Sequence, residues 1–174
     1  MRQNTVRRGK RERPAPAYGQ TVIRIMAATL VALMVLLNLF THIFSVVRYY
    51  GDGMEPALQN RQVLLIRKTD EARPGDIIAF YYNNKVLVRR VICTGGSVIH
   101  MDDAGLVVVD AELLEESYVA APSLGQCNIT FPYSVPMSHY FVMGDNRAIA
   151  MDSRLAEIGP IPKDRVLGRV LFPR

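Results

Sequence analysis

Tryptophan is absent from the 174 residues, and there are only two cysteines and three histidines. Two cysteines do not staple a disulfide-dense mini-protein, so the chain must bury a core of its own. His42, His100 and His139 are far apart and match no metal-ligand spacing with the scattered carboxylates, so no metal and no cofactor is expected. An apolar fraction of 49% against 21% charged residues excludes a disordered chain. The length suits one ordinary domain and is too short for two.

Excess positive charge is missing from most of the chain. Residues 1–24 hold seven Lys/Arg (Arg2, Arg7, Arg8, Lys10, Arg11, Arg13 and Arg24) against Glu12 alone, while the remaining 150 residues carry 14 basic and 15 acidic groups. A basic face across the folded part is therefore excluded, and no nucleic-acid partner is expected. Charge of either sign vanishes over residues 25–47 (IMAATLVALMVLLNLFTHIFSVV). As a helix this run would be about 34 Å long, enough to cross a hydrocarbon core of ~30 Å. A cleavable signal peptide has a shorter apolar core and ends at a small-x-small site, which is not found here. An uncleaved signal anchor in the lipid bilayer is expected instead. The Lys/Arg asymmetry, seven before the run and Arg48 shortly after it, makes residues 1–24 a basic cytoplasmic tail. Residues 48–174 then form a domain outside the cell membrane on a single-pass anchor. Asn38 and His42 are the strongly polar groups inside the run. They lie four apart on one helical face, where they either contact a partner helix or are tolerated near the end of a long span. Residues 12–19 (ERPAPAYG) form a Pro-rich stretch expected to be extended.

The pattern after the anchor is mainly β. Short apolar runs at 63–67 (VLLIR), 77–82 (IIAFYY) and 85–92 (KVLVRRVI) are separated by a turn at 73–76 and by Asn83-Asn84, a pair that suits a tight hairpin. Gly95-Gly96 breaks the chain; 97–101 and 106–109 follow as a further pair, 110–137 is irregular, and 140–143 and 166–172 close the set. Strands this short and closely spaced favour a folded β architecture over parallel βαβ units. Cys93 and Cys127 either pair or remain two small thiols; spacing alone does not choose. Asn128-Ile129-Thr130 matches a glycosylation acceptor, a weak pattern.

Four segments in order carry a family likeness: GDGMEPAL (51–58), RRV (89–91), GDNR (144–147) and DSR (152–154), with GPIPKDRVLGRVLF (159–172) after them. With the anchor before them they resemble type I signal peptidases (peptidase S26), the membrane-bound serine–lysine endopeptidases that remove signal peptides. The resemblance implies a signal-peptidase-like β fold behind one transmembrane helix, with an extended peptide-binding groove near the membrane. It also implies that the nucleophilic Ser precedes M-x-P, where this chain has Gly53. The general-base Lys opens K-R-V, where this chain has Arg89. A third polar residue, from the pattern GDNR-x-x-S-x-D-S-R, falls on Ala150.

None of the three positions retains its chemistry. Gly53 has no side chain to attack a carbonyl, and an arginine stays protonated and cannot act as the base. Losing one member of such a unit removes most of the rate, and losing the next changes little. Substitutes are poor. Lys85 lies about 13 Å along the strand from Arg89. Asp52 should face away from Gly53 if its segment is extended. Ser97 follows a Gly-Gly turn, and Ser153 belongs to the structural motif. The remaining motif residues are expected to form scaffold. Asp145, Arg147, Asp152 and Arg154 supply two acid–base pairs, Asn146 bonds to backbone, and Met54 and Pro56 line and stiffen the strand after the anchor, with a plain core role for Met54 as the other reading. Arg89 beside Arg90 would set a fixed positive charge in the cleft.

The expectation is a catalytically degenerate member that binds exported polypeptide segments by strand addition. The family's dyad-less members in Gram-positive pilus gene clusters, which assist pilin polymerisation with sortases, give the specific form of that role. Two rivals stand beside it. One is an active type I signal peptidase, a serine-type endopeptidase working through other residues. The other is a membrane-complex subunit contacting its partner through the helix.

Overall fold

The computed structural model describes residues 18–171. The basic residues from Arg2 to Arg13, positions 12–17 of the Pro-rich stretch, and Phe172 lie outside the described residues. The chain divides into an N-terminal helical unit and a β unit that begins at Thr41.

Helix α1 covers Tyr18–Ile43, 26 residues with no buried side chain. Its length of about 39 Å and its apolar composition are sufficient to cross a membrane. It starts seven residues before the expected Ile25, so Tyr18 and Gly19 are helical and not extended. It also stops earlier than expected. Residues 44–47 leave the helix to form strand β1 (Phe44–Arg48), paired antiparallel with β2 (Val63–Arg67) from Phe44↔Arg67 to Arg48↔Val63. Phe44, Val46 and Val47 are aromatic or β-branched, residue types that fit a pleated ladder, and pairing with β2 satisfies the backbone groups of alternate residues in this edge strand.

The larger sheet continues with β3 (Ile77–Tyr82), β4 (Lys85–Thr94), β9 (His139–Met143), β10 (Ile161–Pro162) and β11 (Val166–Leu171), in the order β1-β2-β11-β3-β4-β9-β10. Asn83 and Asn84, at φ 45° and 59°, make the expected β3–β4 hairpin. Both faces of β3 are covered. Ile77 and Ala79 join Met54, Leu58, Leu64, Ile66 and Val170 in one core, while Ile78 and Phe80 join Val91, Tyr140, Val142 and Ile161 in another. Two buried faces explain why IIAFYY is apolar throughout instead of alternating.

After Gly95-Gly96 the chain enters a four-stranded sheet of order β7-β6-β5-β8: β5 (Val98–Met101), β6 (Val107–Val109), β7 (Glu112–Leu113) and β8 (Tyr133–Ser134). Ile99, Met101 and Val107 pack there against Ile92, Phe141 and Met143 of the larger sheet. Cys93 and Cys127 are both free thiols. Burial pushes the Cys93 thiol up to about 12.

Candidate functional site

Gly53, Arg89 and Ala150 meet at one point. A Cβ placed on Gly53 would lie 3.3 Å from Arg89 Nη2, 3.4 Å from its Cζ and 3.5 Å from the Ala150 Cα. The segment carrying Gly53 is a run of turns and not the expected strand, so the argument that an extended chain points Asp52 away does not apply. Turns suit this stretch because Met54 is driven inward, 0% exposed, and its N–H donates to the Tyr49 hydroxyl at 3.1 Å. Met54 is thus a core residue and lines no groove. Pro56, behind a cis Glu55–Pro56 bond, is exposed.

Arg89 is itself buried, at 6% exposure, in place of offering an open charge to the cleft. Its Nε donates to the Met151 carbonyl at 2.9 Å and its Nη1 to the Val88 carbonyl at 2.6 Å. Among the described residues no carboxylate lies within ion-pair distance of it. Burial pulls the guanidinium down from its ordinary value, and the fields of Asp152 and the Tyr49 hydroxyl oppose the fall. Tyr49 is shifted upward, first by burial, with Arg89 acting against the shift.

Acid–base pairs surround this point, and Arg90 and Glu116 join the four expected residues in forming them. Asp145 does not pair with Arg147; it accepts two bonds from Arg90, Nε to Oδ1 at 2.8 Å and Nη2 to Oδ2. Arg90 also donates to the Gly75 carbonyl at 2.9 Å and lies 4.0 Å from the centre of the Tyr118 ring. Burial raises the Asp145 carboxyl from its ordinary value, and Arg90 works against the rise. Arg147 turns the other way, to Glu116 and to the Gly144 carbonyl. Its Nη1 is buried without a partner among the described residues. Glu116 was missed because it sits in the irregular stretch 110–137, where no periodicity assigns a face.

Asp152 pairs with Arg154. Arg154 Nε and Nη2 donate to the two carboxylate oxygens at 2.8 and 2.7 Å, and both residues are 0% exposed. Arg154 also donates to the carbonyls of Leu124 at 2.7 Å and Arg147 at 2.9 Å, while Asp152 accepts from Gly144 N–H at 2.9 Å. One buried pair therefore ties three loop positions together. Ser153 is part of the same frame, its hydroxyl accepting from Val142 N–H at 3.0 Å. Asn146 bridges the frame to the Gly53 turn: its N–H donates to the Gly53 carbonyl at 3.1 Å and its Nδ2 to the Asp52 carbonyl at 3.2 Å. Lys85 is exposed in the β3–β4 hairpin, and Ser97 lies in the turn after β4, its N–H bonded to Thr94.

Beside this frame is a 340 Å³ cavity walled by Pro56, Ala120, Ala121, Asn146, Arg147 and Ala148, among others.

The family model described as "Signal peptidase, peptidase S26" matches residues 22–174. Signal peptidase I of Bacillus licheniformis is 33% identical over 161 residues, covering 84% of this chain and 86% of that protein. Signal peptidase I P of Bacillus subtilis subsp. natto is 32% identical over 168 residues, covering 87% and 90%. Among solved structures, a signal peptidase I from Enterococcus faecalis V583 superposes with a TM-score of 0.50 at 28% identity, covering 59% of this chain and 97% of that one.

Proposed function

Because the chain belongs to the signal peptidase family, peptidase S26, we propose that it binds exported polypeptides as that family does and does not cleave them by the serine–lysine route. One observation carries this reading: the space beside Gly53 is taken by the Arg89 guanidinium. Acyl transfer needs a side-chain nucleophile and a base able to release its proton. Position 53 offers no attacking atom, and Arg89 is protonated and held on two backbone carbonyls. Ser153, the hydroxyl of the D-S-R motif, accepts a backbone N–H within the frame.

Binding needs none of these groups. An extended segment is held by main-chain hydrogen bonds and by pockets for alternate side chains, and the cavity at Ala120, Ala121 and Ala148 supplies a pocket for small ones. With α1 as the membrane anchor and the basic residues before it in the cytoplasm, the β domain would meet clients as they emerge outside. The specific role we assign is assistance to pilin assembly alongside a sortase.

The test uses purified full chain in detergent, with a secreted preprotein and a pilin subunit as probes. Both should remain uncut, and a photocrosslinker at Ala148 should capture the pilin while one at His42 does not. Capture from His42 alone would move the contact to the helix. Cleavage of the preprotein at one defined bond would sink the proposal.

A further inference from the structure

On the side of the larger sheet turned away from Leu64, Ile66 and Val170 lies a charge arrangement that folding alone does not call for. Arg67 of β2 and Arg169 of β11 are direct cross-strand partners, and like charges in that position are destabilising. Both line a 480 Å³ cavity together with Arg73, Lys163, Glu71 and Asp76. Four cations thus face two carboxylates, an excess of two positive charges. Arg169 reaches Asp76 at 3.2 Å. Among the described residues, Arg67, Arg73 and Lys163 form no ion pair. The cavity is built to hold its shape: the Tyr140 hydroxyl accepts from Ala72 N–H at 2.9 Å and donates to the Asp70 carbonyl at 2.8 Å, pinning the loop that carries Arg73 and Asp76.

Its position along the chain identifies the ligand chemistry. On its other side Arg67 pairs with Phe44, the first residue after α1. Next to it, Lys68 donates its N–H to the Ile43 carbonyl and its Nζ to the Thr41 carbonyl, both at 2.8 Å. Arg67 therefore stands where an apolar helix of bilayer-crossing length ends, a position that would be level with lipid headgroups if α1 spans the bilayer. Guanidinium groups match phosphate oxygens bidentately, and a basic cluster at that level attracts anionic lipid.

We propose that the Arg67–Arg73–Lys163–Arg169 cleft binds the phosphodiester headgroup of an anionic lipid. The proposal rests on α1 being the membrane anchor. Full chain in mild detergent, offered phosphatidylglycerol and phosphatidylcholine with the same acyl chains, should retain the anionic lipid about tenfold more by native mass spectrometry. Arg67→Gln combined with Arg169→Gln should abolish the preference, while Arg165→Gln and Arg48→Gln, both outside the cleft, should keep it. Arg67→Gln alone relieves the like-charge pair, so it should weaken the preference without lowering the unfolding midpoint. Equal retention of the two lipids, or a preference that survives the double variant, would overturn the assignment. So would inorganic phosphate binding without any lipid preference, which would make the cleft a site for free phosphate. Alkaline carbonate extraction of the membranes reads the anchor separately. A chain that resists extraction but shows no preference counts against the cleft alone; a chain that is released counts against the anchor and the cleft together.

Discussion

At Gly53, Arg89 and Ala150 the side chains are absent, held on backbone carbonyls, or reduced to a methyl. Around them Asp145, Asp152 and Glu116 are each closed by an arginine, from Arg90, Arg154 and Arg147. The two regions touch, since Asn146 bonds to the Gly53 carbonyl and Arg89 lies within the field of Asp152. Their difference separates two jobs that an active peptidase combines. Buried ion pairs hold the loops, and unpairing one exposes the full desolvation cost of the remaining charge. On the reading proposed above, a nucleophile and its base hold nothing, so their loss would leave the frame standing.

The largest expected effect breaks the frame. Arg154→Met strands the Asp152 carboxylate at 0% exposure and removes donors from the Leu124 and Arg147 carbonyls. It should cost about 3–5 kcal/mol in chemical denaturation. Arg89→Met, at another buried guanidinium beside Gly53, should cost only about 1–2 kcal/mol, because it gives up two backbone acceptors and no carboxylate. Equal costs would mean that the corner is as structural as the frame.

How far the sequence revealed this division depended on the kind of interaction. Val63–Arg67 and Ile77–Tyr82 were legible to the residue, because short apolar runs between turn residues leave few alternatives. Phe44–Arg48 was not, because it continues the apolar run of α1 without a break and only its pairing with β2 makes it a strand. Bridges as short as Glu112–Leu113 or Ile161–Pro162 carry no pattern of their own. At the site, Gly53, Arg89 and Ala150 lie at one point, and motif spacing named all three. It did not reveal that Asp145 takes Arg90 and Arg147 takes Glu116, because partner choice among neighbouring charges is settled by side-chain direction in the folded loops. Nor did it reveal that Arg89 folds back onto Met151 and Val88.

A smaller effect sharpens the comparison from inside the corner. Gly53→Ser brings a Cβ within 3.3 Å of the Arg89 guanidinium, closer than comfortable contact, and overpacking of this kind costs about 1–3 kcal/mol. Arg89→Lys removes the forked end that causes the crowding. In a double-mutant cycle the pair should therefore be more stable than the sum of the single variants by at least about 0.5 kcal/mol. Strict additivity would show that the guanidinium does not fill the space a serine would need.

The smallest effect lies on the bridge between the regions. Asn146→Ala removes the bond to the Asp52 carbonyl but keeps the backbone bond to Gly53. Since Asn146 is only partly buried, water can replace the lost donor, and the cost should be about 0.5–1.5 kcal/mol. The informative readout is local. Amide exchange should quicken across residues 51–54 and stay unchanged at Gly144 and Val142, whose N–H groups are held by Asp152 and Ser153. If exchange quickened at Gly144 as well, the frame would depend on the Gly53 turn, and the acid–base pairs could no longer be treated as independent of that turn.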